Sequence, residues 1–393
     1  MSASHSFVAT ETKMADTDTV LSWVHFGDLH VTHAEAQNYL DFLALIDKAK
    51  HQLGARVSFA LLPGDNADDG TEAQFRMVRD AIANLSIPLH ILPGDHDFHT
   101  RSLGPFYEFL ATERLPKSVA ISGHRCLFLD IVSAGTGGPD FRLDDAQFDW
   151  MVSELEQAEA IGQRALVFMH AYPADLRAGA ERLGSLLRRH RVLCVDTGHT
   201  HYNEIANDGR TVFMATRSTG QIEEGPVGYS VAAIDASVVS WRFAPLDSNG
   251  PLVLITRPSD HRLIVDPNAP DQVVRETLTV RSKVWTTEGA RHVFARVDGG
   301  DAIALSPHPI DPSLWQATQD ARTLSDGRHT LTVEAHDIAG TGRDAITVSV
   351  DRSGRYTPPP RIHHGGDRNA LGAWPEKGIL GTQLGPNKNG RKW

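Results

Sequence analysis

From Leu21 to about Leu246, short apolar runs alternate with amphipathic stretches. LSWVHF (21–26), RVSFALL (56–62), IPLHIL (87–92), ALVFM (165–169) and RVLCVD (191–196) are apolar enough to read as buried strands. Between them, AQNYLDFLALIDKAKHQL (36–53), EAQFRMVRDAIANL (72–85) and DDAQFDWMVSELEQA (144–158) place apolar residues at helical spacing, with Asp144 as the N-cap of the last. Strand, loop, helix, strand predicts an α/β unit. TVFMATRS (211–218), GYSVAAID (228–235) and SVVSWRFAPL (237–246) then read as consecutive strands without helices, the far edge of a sheet or sandwich.

A second pattern follows the Pro/Asp-rich stretch RPSDHRLIVDPNAPDQ (257–272). ETLTVRSKVWT, RHVFARVDG, SLWQATQD, GRHTLTVEAHD and DAITVSVDR alternate apolar and polar residues between turn residues, which predicts a smaller all-β sandwich. The last 41 residues hold eight glycines and five prolines, so regular structure is not expected there. Seven Lys/Arg against two Asp/Glu make that tail +5, opposite in sign to the rest. It reads either as a disordered tail or, through Trp374 and Trp393, as one that docks on its own subunit or a neighbour. The expected layout is a flexible N-terminus (1–20), a first domain (21–256), a linker (257–272), a β-sandwich (273–352) and an irregular tail (353–393).

Composition narrows the function. The whole chain of 393 residues carries 38 Lys/Arg against 49 Asp/Glu, a net −11 that argues against a stable nucleic-acid complex. No apolar run approaches the roughly 18 residues of a membrane helix, and the first twenty residues lack the pattern of a secretory signal. Cys126 and Cys194 each sit in an apolar run, which suits buried free thiols of neighbouring strands and a cytoplasmic protein. Twenty histidines, several beside aspartates, point instead to imidazole and carboxylate metal ligands.

The five strands of the first unit each end in a polar loop, at the strand ends where open α/β sheets place ligands. The loops offer Asp28-Leu29-His30, Gly64-Asp65-Asn66-Ala67-Asp68, Gly94-Asp95-His96-Asp97, His170, and Gly198-His199-Thr200-His201. In this order the set resembles the calcineurin-like metallophosphoesterase superfamily, whose blocks read D-x-H, G-D-x-x-D, G-N-H-D/E, H and G-H-x-H. Its G-H-T-H block and compact domain look closest to class III cyclic-nucleotide phosphodiesterases and glycerophosphodiesterases. The segment TLSDGRHTLTVEAHDIAGTGRDAITVSV resembles the last strands of bacterial immunoglobulin-like modules.

The first resemblance implies a four-layer αββα sandwich followed by the smaller all-β domain. It implies two transition-metal ions, Mn or Fe with Zn possible, and in-line attack on phosphorus by a metal-bridging hydroxide. Asp28, His30 and His201 would hold the first ion, Asp65 would bridge, and Asp95, His170 and His199 would hold the second. His96 would protonate the leaving oxygen, and Asp68 would orient its imidazole and keep it protonated. The substrate would be a small phosphate ester, a diester before a monoester or nucleotide. A rival from another class is a non-catalytic metal-bound scaffold. A homo-oligomer through the β-sandwich or tail is a further expectation.

The chemistry has its own logic. Anionic phosphate oxygens repel nucleophiles, and two metal ions screen that charge while lowering the pKa of a bound water. Asp95 departs from the pattern, because the family has asparagine there; the substitution alters the charge of the site. His33, His99 and Arg217 are further candidates for substrate contact, with ordinary loop histidines and a structural salt bridge as their plainer readings. The loop SAGTGGPDF (133–141) is read as a plain connection rather than a pocket wall.

Overall fold

The computed structural model describes residues 19–221, 225–354 and 356. The first unit runs β1 (Leu21–Phe26), α1 (Gln37–Gln52), β2 (Phe59–Leu62), α2 (Glu72–Ile82), β3 (Leu89–Ile91), α3 (Gly104–Leu110), β4 (Lys117–Ile121) and β5 (His124–Phe128). It continues through α4 (Asp145–Ala160), β6 (Arg164–Phe168), α5 (Ala180–Arg189), β7 (Cys194–Thr197), β8 (Glu204–Asn207), β9 (Val212–Ala215), β10 (Gly228–Asp235) and β11 (Val238–Pro245). Two sheets result, ordered β11-β10-β1-β2-β3 and β4-β5-β6-β7-β9-β8. Within them β1, β2 and β3 are parallel, as are β5, β6, β7 and β9. Each parallel set therefore sends its loops out on one side.

The alternation of side chains along each strand decides the layers. Leu21 and Trp23 of β1 and Phe59 and Leu61 of β2 meet Cys126 and Phe128 of β5 and Leu166 and Phe168 of β6 in one core between the sheets. Trp23 stacks on Phe59 with centroids 5.8 Å apart and meets Phe168 edge-on at 5.6 Å. Val24 and Phe26 point the other way, and Phe26 meets Phe42 of α1 edge-on at 5.9 Å. On the second sheet, Leu127, Ala165 and Val167 belong to the same core as Met151 and Leu155 of α4 and Leu183 of α5. Helices thus cover the outer faces, giving the expected α/β/β/α order. Each large apolar side chain fully buried here contributes roughly 1.5–3 kcal/mol.

The helices start where their caps place them. Asp144 accepts from Gln147 N at 2.7 Å, as the sequence predicts. Thr71 and Gln74 form a capping box on α2, immediately after the Asp65–Asp68 loop. Elsewhere the pattern needed correction. The strands expected together at one far edge are divided: β9 pairs between β7 and β8, whereas β10 pairs with β1 and β11 lies outside it. Cys126 and Cys194 are free and buried, but on strands separated by β6, with Leu166 in register between them. The β4–β5 hairpin was not visible as an apolar run because β4 is only half-buried; its turn is Ser122-Gly123, both at positive φ.

The second unit comprises β12 (Leu252–Arg257), β13 (Thr277–Trp285), β14 (His292–Val297), β15 (Ile303–Ala304), β16 (Ser306–Pro307), β17 (Leu314–Asp320), β18 (Gly327–His336) and β19 (Thr341–Val350). Its two antiparallel sheets, β12-β13-β17-β16 and β15-β14-β18-β19, share a core of Val253, Val280, Val293, Leu331 and Val348 among others. Its hydrogen-bonded sheet begins with β12, ahead of the 257–272 stretch. That stretch is packed rather than loose. Asn207 Nδ2 donates to Arg262 O and Ile264 O at 3.0 Å, and Gln272 Nε2 donates to Ser237 O at 2.8 Å. Trp285, fully buried, joins the helix-side core of the first unit and donates to Arg56 O at 3.2 Å.

No helix among the described residues is long and apolar enough to cross a membrane. The docking expected of Trp374 and Trp393, and most of the N-terminal 1–20, lie outside the described residues.

Candidate metal centre

The loops that follow β1, β2, β3, β6 and β7 converge. Leu29 N and His30 N donate to Asp65 O at 3.0 and 2.8 Å, which binds the first loop to the second. Asp28 Oδ2 accepts from His199 N at 2.7 Å, a bond that spans the two sheets. Asp65 Oδ1 accepts from His96 N at 2.9 Å. These bonds hold a costly backbone. His30, Asp65, His199 and His201 all have positive φ, between 44° and 66°, a conformation that costs of order 1–3 kcal/mol per residue and collects at functional sites. The glycines fit the same crowding: a Cβ on Gly94 would strike Asp65 Oδ1, and one on Gly198 would strike Asp28 Oδ1.

Two ligand groups share one carboxylate. His30, Asp65 and His201 converge in the first, with His30 Nε2 3.1 Å from His201 Nε2 and 3.6 Å from Asp65 Oδ2. Asp28 Oδ2 lies 3.7 Å from His201 Nε2, beside that group. Asp65, Asp95, His170 and His199 converge in the second. There His170 Nε2 is 3.5 Å from Asp65 Oδ2 and 3.3 Å from Asp95 Oδ1, and His199 Nδ1 is 3.5 Å from Asp95 Oδ1. Asp65 is therefore common to both groups.

The donors fit metal ions on structural grounds. His30 Nδ1 is 3.2 Å from Asp68 Oδ1; donating its proton there leaves Nε2 as a lone pair aimed at His201. Asp28 Oδ1 is buried without a hydrogen-bond partner among the described residues. Imidazole and carboxylate donors without thiolate suit Mn, Fe or Zn.

The electrostatics tell the same story. Burial pushes the Asp28 carboxyl up against the pull of His170. Burial would also raise Asp65 and Asp95, but the neighbouring imidazoles, His170 foremost, hold both well below the usual carboxylate range. Burial opposes the charge on His170, yet Asp65 and Asp95 raise it well above an ordinary imidazole. His201, buried beside His30, is pushed down to about 3. The charge held on His170 thus offsets Asp65 and Asp95 in the place that cations would take.

Asp68 divides its work differently from the expectation. His96 Nδ1 lies 2.7 Å from the backbone carbonyl of Asp68 and 3.5 Å from its carboxylate, whereas the carboxylate lies closer, at 3.2 Å, to His30. The imidazole of His96 is oriented mainly by a carbonyl, and the carboxylate orients a metal-group histidine. Sequence reading passed over Asp97. Fully buried, it accepts from Asn66 N, Ala67 N, Gly94 N and Asn66 Nδ2 at 2.8–3.2 Å, stapling the second loop to the third. Burial, aided by Asp65, raises its carboxyl to about 6. Its position in the block Gly94-Asp95-His96-Asp97 was the available signal.

The centre opens into a cleft of about 460 Å³. Asp65, Asp95, His96 and His199 line it together with Pro139, Phe141, Asp175 and Arg177. The 133–141 loop is thus a pocket wall after all, and Phe141 packs edge-on against His199 at 4.7 Å. Gln221 also lines the cleft and donates to Asp68 Oδ1 at 3.4 Å. Arg217 does not line it. Its guanidinium sits 4.1 Å over the Phe243 ring and donates to Pro226 O at 3.1 Å. His33 pairs with Glu35 on the surface, and His99 lies 4.4 Å from the His96 ring without lining the cleft.

Comparison with known proteins agrees with this geometry. Residues 21–203 match the sequence model of the calcineurin-like phosphoesterases. This segment is a calcineurin-like phosphoesterase domain. The matched span carries all the ligand loops and ends just beyond His201. The phosphoesterase domain is similar to a protein of Arcobacter nitrofigilis named as a probable glycerophosphodiester phosphodiesterase, at 23% identity over 38% of this chain and 59% of that protein. This chain therefore spans less than two thirds of that relative. A protein of a Synechococcus species named as a probable cyclic nucleotide phosphodiesterase is 27% identical over 46% of this chain and 73% of its own length. A 3',5'-cyclic adenosine monophosphate phosphodiesterase of Escherichia coli is 23% identical over 55% of this chain and 78% of its own.

Proposed function

We propose that this protein is a dinuclear metal-dependent phosphoester hydrolase with phosphodiesters as its preferred substrates. The observation that carries the reading is the sharing of Asp65 between two ligand groups beside a cleft that also holds His96. Two bound ions would supply charge neutralisation at the phosphoryl oxygens and activation of a water nucleophile. Asp28, His30, Asp65 and His201 would hold one ion, and Asp65, Asp95, His170 and His199 the other. Mn and Fe are our assignment, from the oxygen and imidazole donors.

His96 supplies the proton that the leaving group needs. A carbonyl only accepts, so the contact to Asp68 O requires a proton on Nδ1. Nε2 is then the atom left to serve the cleft, and donation from it requires the imidazolium. As the water oxygen bonds to phosphorus in line, the bond to the leaving alcohol breaks and that oxygen takes the Nε2 proton.

Asp95 supports the diester reading. Asp28, Asp65 and Asp95 offset three of the four charges of two divalent ions, one more than with asparagine at 95. A less positive centre attracts a monoester dianion less, which favours the monoanionic diester. The names of the similar proteins point to diesters as well. A cytoplasmic setting belongs to the same proposal, supported by the two free, buried cysteines.

The test compares bis(p-nitrophenyl) phosphate with p-nitrophenyl phosphate on Mn²⁺-loaded protein. We expect the diester to have the higher kcat/KM, with activity lost to chelation and restored by metal. A monoester preference would make the protein a phosphomonoesterase, and silence on both esters with two ions bound would leave a scaffold. Asp95→Asn should raise the monoester-to-diester ratio at equal metal content; an unchanged ratio removes the charge argument.

A further inference from the structure

We propose that Arg177 is a specificity-determining residue that recognises a second anionic group on the substrate, outside the phosphate being cleaved. The inference rests on the phosphodiesterase reading and deepens it to diesters that carry a further negative charge, such as a carboxylate, on one alcohol.

Arg177 lines the same cleft as the metal groups, and it is the one Lys or Arg among the described cleft-lining residues. Two loops build this part of the wall, one after β5 and one after β6. They are tied backbone to backbone: Arg177 N donates to Phe141 O at 2.8 Å, and Leu143 N to Ala178 O at 3.1 Å. The arginine is thus held by its main chain at a set height on the rim while its side chain stays 66% exposed.

Its guanidinium has little structural work. Among the described residues the nearest carboxylate is Asp140, 3.9 Å from Arg177 Nε, beyond hydrogen-bond reach. Asp140 is already occupied. It accepts from Arg142 Nε at 2.9 Å, from Thr136 N at 2.9 Å and from Thr136 Oγ1 at 2.8 Å. With the guanidinium largely in solvent, a contact at that distance is weak. Asp140 therefore steers the arginine without neutralising it, which makes Asp140 a positioning residue. Bound ions would largely offset the carboxylates on the catalytic side, so the charge of Arg177 acts on whatever part of the substrate reaches the rim. Asp175 on the same wall limits the field, which suits a singly charged group better than a free dianion.

The experiment compares bis(2-carboxyethyl) phosphate with dipropyl phosphate, following monoester formation by phosphorus NMR on metal-loaded protein. The pair is symmetric, so a carboxylate reaches the rim whichever alcohol leaves. Wild type should prefer the carboxylated ester by about five- to tenfold in kcat/KM, mostly through KM. Arg177→Ala should bring the ratio close to one, Arg177→Lys should keep part of it, and Asp140→Asn should raise KM for the carboxylated ester without lowering its kcat. Metal content, measured in each variant, should match wild type. A wild-type ratio near one, or a preference that survives Arg177→Ala, overturns the proposal. Failure of the broader reading looks different: neither of these esters nor bis(p-nitrophenyl) phosphate would be hydrolysed with both ions bound.

Discussion

The two units of the molecule treat buried charge in opposite ways. In the phosphoesterase domain, Asp28, Asp65, Asp95 and Asp97 crowd together at 0–6% exposure, with imidazoles but no Lys or Arg paired to them among the described residues. In the β unit, each buried cation faces a carboxylate: Lys283 Nζ is 2.8 Å from Asp311, and Arg281 Nε is 3.2 Å from Asp235 at the junction. Paired opposite charges compensate one another in the interior, a structural arrangement. Clustered like charges are unfavourable unless something positive arrives, and that is the mark of a site. The backbone makes the same division, since four of the ligand residues have positive φ, whereas the β unit keeps positive φ to turns such as Asp298-Gly299.

The sharpest break in this contrast is Asp65→Ala, which removes the carboxylate common to both ligand groups. Metal content should fall from two ions to one or none, and kcat should drop by about 10³-fold or more; two ions retained, by elemental analysis, would deny it the bridging place. His96→Ala comes next. It should leave both ions bound and lower kcat by about 10²–10⁴ on alkyl esters, with a much smaller loss on nitrophenyl esters that need little protonation. Equal losses on both would make it a substrate-positioning residue.

On the other side of the comparison, Trp285→Ala should cost about 3–5 kcal/mol of stability, since the ring is fully buried in the core joining the units. Denaturant unfolding would show this, and kcat of the protein that remains folded should not change. The smallest effect lies farthest from the site. Burial lowers the His329 imidazole, but its 2.6 Å contact to Asp298 more than offsets this, and the net shift is upward. Its stabilisation should be full below the unfolded pKa of about 6.5 and fade as pH rises through the higher folded value. His329→Gln should therefore lower Tm at pH 5.5 by under about 3 °C and by less at pH 8.5. A difference that grew with pH would contradict the pairing.

Much of the site was legible because its chemistry is local. A strand end followed at once by Asp and His can be read from the chain, and Asp28, Asp65 and His199 lie two or three residues past the ends of β1, β2 and β7. Asp97 escaped because its importance lies in four donors from two loops, and its place in the third block does not reveal that they meet. Arg217 misled for the converse reason: an arginine near the ligand blocks in sequence turned inward onto Phe243.

What the sequence determined alone was the alternation that makes two α-covered sheets, the capping of α4 by Asp144, and the residue types of the metal groups. These depend on periodicity and on loops adjacent to strands. Only the tertiary structure decided that β9 and β10 belong to different sheets, that the carboxylate of Asp68 lies nearer His30 than His96, and that Pro139, Phe141 and Arg177 face the centre. The reason is distance along the chain. Sheet membership, the partner of a carboxylate and the wall of a cleft are all set by contacts between segments tens of residues apart, and no local pattern encodes which segments will meet.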